Sequence, residues 1–150
     1  MAVLYLDTSA LVKLYVAEEG TDRMLELAHP DAGHRLAILA LAGIEFRAAV
    51  RRRTRTGDID AITSDDLLRR FQEHLAALYL VQPINDAVQQ YASQAIDRHG
   101  LRAYDSVQLG GCMAMRANID PNDELWFVAA DRELLVAAQA EALHCVDPTE

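Results

Sequence analysis

The sequence predicts a single α/β domain whose parallel sheet is covered by helices on both faces. Short apolar runs alternate with segments that have amphipathic helical spacing, as βαβ units require. The two clearest runs, Val3–Leu6 and Glu124–Ala129, are continuous rather than alternating, which is typical of strands buried on both sides. The chain has 150 residues, 51% of them hydrophobic, which suits one domain with one substantial core.

The first half of the chain contains the expected helices and strands of two βα units. After the first strand, Leu11, Leu14 and Tyr15 keep helical spacing, and Gly20 is expected to end that helix. A short helix from Thr21 and a loop rich in turn residues follow. The next expected elements are a weaker strand at Leu36–Leu39, an alanine-rich helix at Ala40–Thr54, and a helix starting at Ser64 with an apolar face.

The second half repeats the alternation of strands and helices. A short strand is expected at Leu78–Val81, where Pro83 stops it, and Asn85 caps the next helix. The remaining expected elements are helices at Asp86–His99 and Ala103–Ala117, the strand Glu124–Ala129, a helix opened by Asp131, and a last strand at His144–Val146.

Aspartate follows each of the two clearest strands. Asp7 ends the first run and Asp131 follows the second, so both lie at the carboxyl edge of the predicted sheet. This edge is where ligands bind in open parallel sheets. Each aspartate considered alone is better explained as a helix N-cap, which is the structural alternative.

Two further acids stand in unusual positions. Glu45 interrupts an apolar helical segment, and Asp105 falls in the first turn of a helix, where the helix dipole favours a negative charge. An exposed helix position is the alternative for Glu45, and a purely electrostatic role is the alternative for Asp105. If the four acids converge, a hard divalent cation such as Mg²⁺ or Mn²⁺ would relieve their repulsion and assist a phosphoryl displacement.

Four segments that contain these acids resemble one known family. They are LYLDTSALVKLY, GIEFRAAVRR, RAYDSVQLGG and VAADRELLVAA. In order and separation they resemble the PIN-domain ribonucleases, and among these the VapC-type toxins of bacterial toxin–antitoxin pairs. The resemblance covers essentially the whole chain, residues 1–150, and implies one PIN domain, a three-layer α/β/α sandwich with a central parallel sheet.

The resemblance also implies an activity and a site. It implies a Mg²⁺-dependent endoribonuclease, with Asp7 and Asp105 as principal metal ligands and Glu45 and Asp131 completing the site directly or through water. Ser9 would hold Asp7 in place, a role compatible with helix capping. Ala129 departs from the family pattern, in which many members have Ser or Thr two residues before the fourth acid, so Asp131 is the least secure of the four.

Charge is distributed unevenly along the chain. The net charge is −9, which argues against a protein that coats nucleic acid by bulk electrostatics. A basic strip nevertheless follows Glu45, and three of its arginines are candidate contacts: Arg47, Arg51 and Arg52. RNA phosphate, an acidic antitoxin segment and plain solvation of a helix end all remain open as explanations for them.

The expected partners and location follow partly from the resemblance. It implies an RNA substrate, a cognate antitoxin protein and a homodimer. The absence of a signal peptide and of a long apolar run predicts a cytoplasmic protein without a membrane span. Cys112 and Cys145, distant in sequence and in apolar surroundings, are expected to be free thiols.

Other functions of an aspartate-bearing α/β fold have less support. A haloacid-dehalogenase-type phosphatase would need a second aspartate where Ser9 stands. A phosphotransfer receiver would need an adjacent acidic pair and a late lysine, but Lys13 is the only lysine. The remaining alternative is a PIN-fold module that binds RNA or protein without catalysis; loss of an acid would favour it, and all four acids are present.

Overall fold

The computed structural model describes all 150 residues and contains one sheet of five parallel strands. The strands are β1 (Ala2–Leu6), β2 (Arg35–Leu39), β3 (Leu80–Gln82), β4 (Glu124–Val128) and β5 (His144–Val146). Their order across the sheet is β3-β2-β1-β4-β5, and every neighbouring pair is parallel. The predicted parallel sheet is therefore confirmed, with the first strand at its centre.

Seven α-helices cover the sheet in two layers. They are α1 (Thr8–Leu11), α2 (Thr21–Ala28), α3 (Ala40–Thr56), α4 (Ala61–Ala77), α5 (Asp86–His99), α6 (Ala103–Arg116) and α7 (Arg132–Ala140). Short 3₁₀ helices span Val12–Leu14 and Pro30–Ala32. Helices α1 to α4 pack on one face and α5 to α7 on the other, which confirms the three-layer sandwich. None of the helices combines the length and apolar character that a membrane span requires.

The central strand is buried on both faces because its side chains alternate between the two helical layers. Leu4 and Leu6 join the core beneath α1 to α4, whereas Val3 and Tyr5 join the core beneath α5 to α7. The Tyr5 hydroxyl, itself buried, donates a 2.8 Å hydrogen bond to the backbone carbonyl of Gln108 in α6. These contacts hold β1 in place, and therefore also the position of Asp7, which follows it directly.

Three expected element boundaries are wrong. The helix after β1 ends at Leu11 and continues only as 3₁₀ turns to Leu14, short of the expected end at Gly20. Lys13 in these turns is buried and pairs with Glu18 in the loop beyond. Helix α4 begins at Ala61 rather than Ser64; Asp60 is its N-cap and accepts a 2.7 Å hydrogen bond from the Thr63 amide. That helix runs on to Ala77, and β3 begins at Leu80 rather than Leu78 and ends at Gln82 rather than Val81.

Two adjacent glycines in α6, Gly110 and Gly111, allow close packing. A Cβ atom added at Gly110 would lie 2.8 Å from the backbone oxygen of Val88 in α5. One added at Gly111 would collide with the Tyr5 hydroxyl. Helix α6 therefore approaches both α5 and the sheet more closely than any larger residue permits. The expected free thiols at Cys112 and Cys145 are also confirmed.

Candidate active site

The carboxyl ends of β1 and β4 place two aspartates at the same edge of the sheet. Strands β1 and β4 are neighbours, and Leu6 pairs with Val128 at their carboxyl ends. Asp7 follows directly, and its backbone amide donates a 2.9 Å hydrogen bond to the Val128 carbonyl. Asp131 follows β4 and caps α7, where its Oδ1 accepts a 3.1 Å hydrogen bond from the Leu134 amide. The alternative role of Asp131 as an N-cap is thus present in the structure.

Two helices add the other acids to this edge. Glu45 lies in the second turn of α3, and Asp105 lies in the first turn of α6. One cleft of about 510 Å³ is lined by all four carboxylates. We call it the acidic cleft; its other lining residues are Thr8, Ser9, Leu41, Ile44, Ala48, Ala49, Arg52 and Tyr104. Four acids that are far apart in sequence therefore share one concave surface.

Ser9 connects the ends of the two strands. Its hydroxyl donates a 2.6 Å hydrogen bond to Asp7 Oδ2, and its backbone amide donates to the same oxygen at 3.2 Å. The Ala130 amide, just beyond β4, donates to the Ser9 hydroxyl at 3.0 Å. Asp7 is also the N-cap of α1, so capping and orientation are carried out by the same contacts. Ser9 thus fixes Asp7 Oδ2 in the wall of the acidic cleft.

Gln108 is a site residue that the sequence interpretation missed. It is 1% exposed, and its Nε2 donates to Thr8 Oγ1 at 3.0 Å and to Glu45 Oε1 at 3.2 Å. Its Oε1 is buried without a hydrogen-bond partner. Gln108 follows Asp105 by three residues, so both lie on one face of α6. That spacing from Asp105 is the signal in the sequence that relates Gln108 to the site.

The structure separates the candidate arginines of α3. Arg51 donates to Asp65 Oδ1 at 2.8 Å and to Ser64 Oγ at 3.0 Å, so it joins α3 to α4. Arg52 lines the acidic cleft and has no carboxylate within ion-pair distance. Arg47 is exposed and lies outside the lining of that cleft. Arg52 alone of the three is therefore placed beside the four acids.

Comparison with known proteins decides the family. The scan against protein-family models gave no match. Ribonuclease VapC45 of Mycobacterium tuberculosis is 31% identical over 140 residues, which cover 93% of this chain and 92% of that protein. The chain belongs to the VapC family of PIN-domain proteins. The resemblance stated from the four acidic segments is thereby confirmed.

Solved structures with the same fold extend the comparison beyond the VapC relatives that share sequence. The FitAcB structure from Neisseria gonorrhoeae matches with a TM-score of 0.69 at 16% identity, over 97% of both chains. The VapBC2 structure from Rickettsia felis, bound to a DNA fragment from its promoter, matches with a TM-score of 0.63 at 12% identity. That match covers 97% of this chain and 98% of the other. At these identities the matches establish a shared fold.

Burial and mutual repulsion raise the pKa of three carboxyl groups in this VapC-family cleft. The pKa of Asp7 is raised chiefly by burial and also by the charge of Asp105, and the Ser9 hydrogen bonds partly oppose this. Burial likewise raises the pKa of Glu45, with Asp7 and Asp105 adding to it and the Gln108 hydrogen bond opposing it. The pKa of Asp105 is raised by burial and then by Asp131. The acids therefore lie close enough to repel one another.

Because these pKa values are raised, the acidic cleft should make folding less favourable as the pH rises. The folded protein keeps protons on these carboxyl groups at pH values where the unfolded chain has lost them, so the free energy of unfolding falls as pH rises through and above the usual carboxyl range. We expect this decline in EDTA, measured by urea unfolding from mildly acidic to neutral pH. Asp7→Asn should make the decline shallower. Equal slopes in the two proteins would contradict this electrostatic account.

The donor set of the acidic cleft has the chemistry of a hard-cation site. Carboxylate oxygens are the protein ligands that Mg²⁺ and Mn²⁺ prefer. The side chains as they stand form no tight group of three or more His, Cys, Asp or Glu residues able to hold a metal. Mg²⁺ keeps several waters and commonly uses only one or two carboxylates, so an open cleft lined by several carboxylates fits it. The residues therefore fit a hydrated divalent cation better than an all-protein cage.

Proposed function

We propose that this protein is a Mg²⁺-dependent endoribonuclease that acts as the toxin of a toxin–antitoxin pair. The observation that carries the proposal is the single cleft lined by Asp7, Glu45, Asp105 and Asp131 at the carboxyl edge of the sheet. Support for RNA as the substrate comes from the relative named Ribonuclease VapC45. Mn²⁺ is a plausible replacement for Mg²⁺ because both prefer oxygen ligands.

In this proposal the chain's own residues provide a fixed, negatively charged cup. Asp7 and Asp105 would be the principal ligands, with Glu45 and Asp131 completing the site directly or through water. A bound divalent cation would supply positive charge to the scissile phosphate and lower the pKa of a water molecule for attack. Ser9 fixes Asp7 by its two hydrogen bonds, and Gln108 fixes Glu45. The orientation of these two carboxylates is thus already established before substrate arrives.

The wall of the cleft suits a single RNA strand. Ile44 is 69% exposed and Tyr104 is 65% exposed, and both line the acidic cleft. Unpaired RNA bases stack on aromatic and apolar side chains, whereas bases inside a duplex are not available for such contacts. We therefore propose single-stranded RNA as the substrate class. The net charge of −9 favours selective over indiscriminate binding.

An antitoxin partner belongs to the same proposal. The structural neighbours include a toxin–antitoxin complex from Klebsiella pneumoniae, with a TM-score of 0.66 at 15% identity over 100% of this chain. The VapBC2 structure from Rickettsia felis is a further neighbour. We propose that a cognate antitoxin protein binds this chain and suppresses its activity. Formation of a homodimer is a further expectation that the family resemblance provides.

The test of this function measures metal binding and RNA cleavage separately. Purified protein should cleave single-stranded RNA in Mg²⁺ or Mn²⁺ and lose that activity in EDTA. Because a ligand that binds only the folded state stabilises it, Mg²⁺ at about a hundred times its dissociation constant should add about 2.7 kcal/mol to the free energy of unfolding. Asp105→Asn should lose both effects.

A matched acid outside the cleft provides the control for the metal experiment. Asp97 is exposed on α5 and forms no ion pair, so Asp97→Asn removes the same charge without touching the cleft. That variant should cleave RNA and respond to Mg²⁺ as the wild type does. Undiminished cleavage in EDTA would reject the metal-dependent nuclease. RNA binding without any cleavage would instead favour the non-catalytic PIN-fold module.

A further inference from the structure

A second cleft adjoins the acidic cleft and shares part of its wall. Its volume is about 310 Å³, and it has Thr8, Ser9, Ala49 and Arg52 in common with the acidic cleft. Lys13, Glu18 and Arg53 supply the other charges in its lining, so we call it the basic cleft. A linear polymer bound in one cleft can therefore continue into the other along the protein surface.

The basic cleft carries an excess of positive charge. Lys13 is 7% exposed, and its Nζ lies 2.9 Å from Glu18 Oε1. Arg53 also donates to Glu18, so one carboxylate is shared by two cations. A buried lysine is costly unless it is paired, and this pair explains why Lys13 is held in the wall. Since the shared acid neutralises only one of them, the three residues together remain cationic.

Arg52 adds a cation that is free to bind a ligand. It is exposed, lies in the wall common to both clefts, and has no carboxylate within ion-pair distance. Its neighbours differ, because Arg51 is engaged by α4 and Arg53 by Glu18. A guanidinium group presents a planar fork that matches phosphate oxygens. The position of Arg52 thus combines the right chemistry with an unused set of donors.

We infer that the basic cleft is a subsite for a backbone phosphate of the RNA strand next to the phosphate that is cleaved. Arg52 is the direct contact, while Lys13 and Arg53 provide a positive field. This inference rests on the proposed function, since it takes the acidic cleft as the place of the scissile phosphate. An RNA strand carries one phosphate per nucleotide, so a strand crossing the acidic cleft delivers its neighbouring phosphate to the adjoining surface.

The adjacency of the two clefts favours RNA over an acidic protein segment. A carboxylate side chain from a protein partner would also find cations in the basic cleft. Next to it, however, four carboxylates would repel further acidic residues, whereas a nucleic-acid phosphate can approach them across a divalent cation. A polyanion fits both clefts at once if one of its phosphates meets a divalent cation in the acidic cleft and the next meets Arg52. Binding of an acidic protein segment becomes an outcome that the experiment must distinguish.

The experiment compares Arg52→Ala with Arg55→Ala. Arg55 is exposed on the same helix and lies outside the lining of both clefts, so it provides the same charge change. The substrate is a short single-stranded RNA oligonucleotide that the wild-type protein cleaves in Mg²⁺. Arg52→Ala should raise KM about tenfold with little change in kcat, and the salt slope should become shallower by about one. Arg55→Ala should behave as the wild type.

A chemical change in the substrate identifies the contacted phosphate. Oligonucleotides with a neutral methylphosphonate linkage on either side of the cleaved phosphate are compared with the unmodified strand. One of the two should raise KM for the wild type yet have no further effect on Arg52→Ala, because the same contact is already lost. Arg52→Lys should recover part of the affinity, since it restores the charge but not the fork.

The outcomes separate this subsite from the proposed function. If the wild type cleaves RNA but Arg52→Ala and Arg55→Ala have equal KM values, the subsite is rejected and the nuclease stands. Additive effects of the methylphosphonate and Arg52→Ala also reject it. Unchanged RNA kinetics together with weakened binding of the cognate antitoxin would assign Arg52 to a protein interface instead. A wild type that cleaves no RNA rejects the proposed function, and the subsite with it.

Discussion

Asp7→Asn is expected to abolish RNA cleavage and leave the protein folded. The substitution removes the charge of a principal candidate ligand while keeping the size of the side chain. Asn Oδ1 can still accept the Ser9 hydrogen bonds that now reach Asp7 Oδ2. Since charge stabilisation by a bound cation is worth several kcal/mol, the cleavage rate should fall at least about a thousandfold. Gel analysis of RNA products gives the rate.

Stability distinguishes this result from simple unfolding. Asp7 is buried at 6% exposure, and burial raises its pKa, so the charged form opposes folding near neutral pH. Removing the charge should leave the free energy of unfolding unchanged or increased when both proteins are measured in EDTA. This pattern is the stability–activity trade-off expected of an active site. An Asp7→Asn protein that is stable and fully active would remove Asp7 from the catalytic machinery.

Gly110→Ala is expected to destabilise the protein by forcing two helices apart. A Cβ atom there would lie 2.8 Å from the backbone oxygen of Val88 and 2.9 Å from the backbone nitrogen of Ala92. Backbone atoms cannot escape by changing rotamer, so α5 and α6 must separate. Overpacking of this kind costs about 1 to 3 kcal/mol, which urea unfolding can measure. Since α6 also carries Asp105 and Gln108, the cleavage rate should fall as well.

Gly43→Ala is the matched control for the α6 glycine. Its added Cβ would lie 3.6 Å from Phe71 Cε1, which is ordinary van der Waals contact. Alanine favours a helix over glycine by about 0.8 to 1 kcal/mol, so this variant should be as stable as the wild type or more so. If both alanine variants were equally stable, the close approach of α5 and α6 would not be what requires glycine at Gly110.

The sequence predicted most of the sheet and the place of the site because two-sided burial leaves a strong pattern. Continuous apolar runs identified β1 and β4, and the aspartates after them indicated the shared edge. The helix after β1 is shorter than its apolar spacing predicts, and the ion pair of Lys13 with Glu18 beyond it is a contact that such spacing does not reveal. The start of α4 was placed too late because Ser64 faces Arg51 of α3 rather than capping its own helix. Contacts between distant segments decide such boundaries.

The site shows the same division between local pattern and tertiary contact. The sequence indicates the four acids as candidates because Asp7 and Asp131 follow apolar strands, Glu45 interrupts an apolar helical segment, and Asp105 falls in the first turn of a helix. For Gln108 the sequence offers only the spacing from Asp105, because an uncharged amide in a helix is not distinctive until its partners Thr8 and Glu45 are known. The sequence alone does not distinguish the arginines of α3 from one another. Only the packing of α3 against its neighbours distinguishes Arg51, which is engaged, from Arg52, which is available.

The shortness of β3 and β5 limits polymerisation of this protein through its sheet. Each outermost strand has only three residues and so offers few free amide and carbonyl groups to a strand from another molecule. Exposed edge strands are common starting points for aggregation, and short edge strands are one natural protection against it. Leu80 and Val81 are partly exposed on β3, yet this edge strand is too short to template an intermolecular sheet. Concentrated solutions should therefore resist fibril formation.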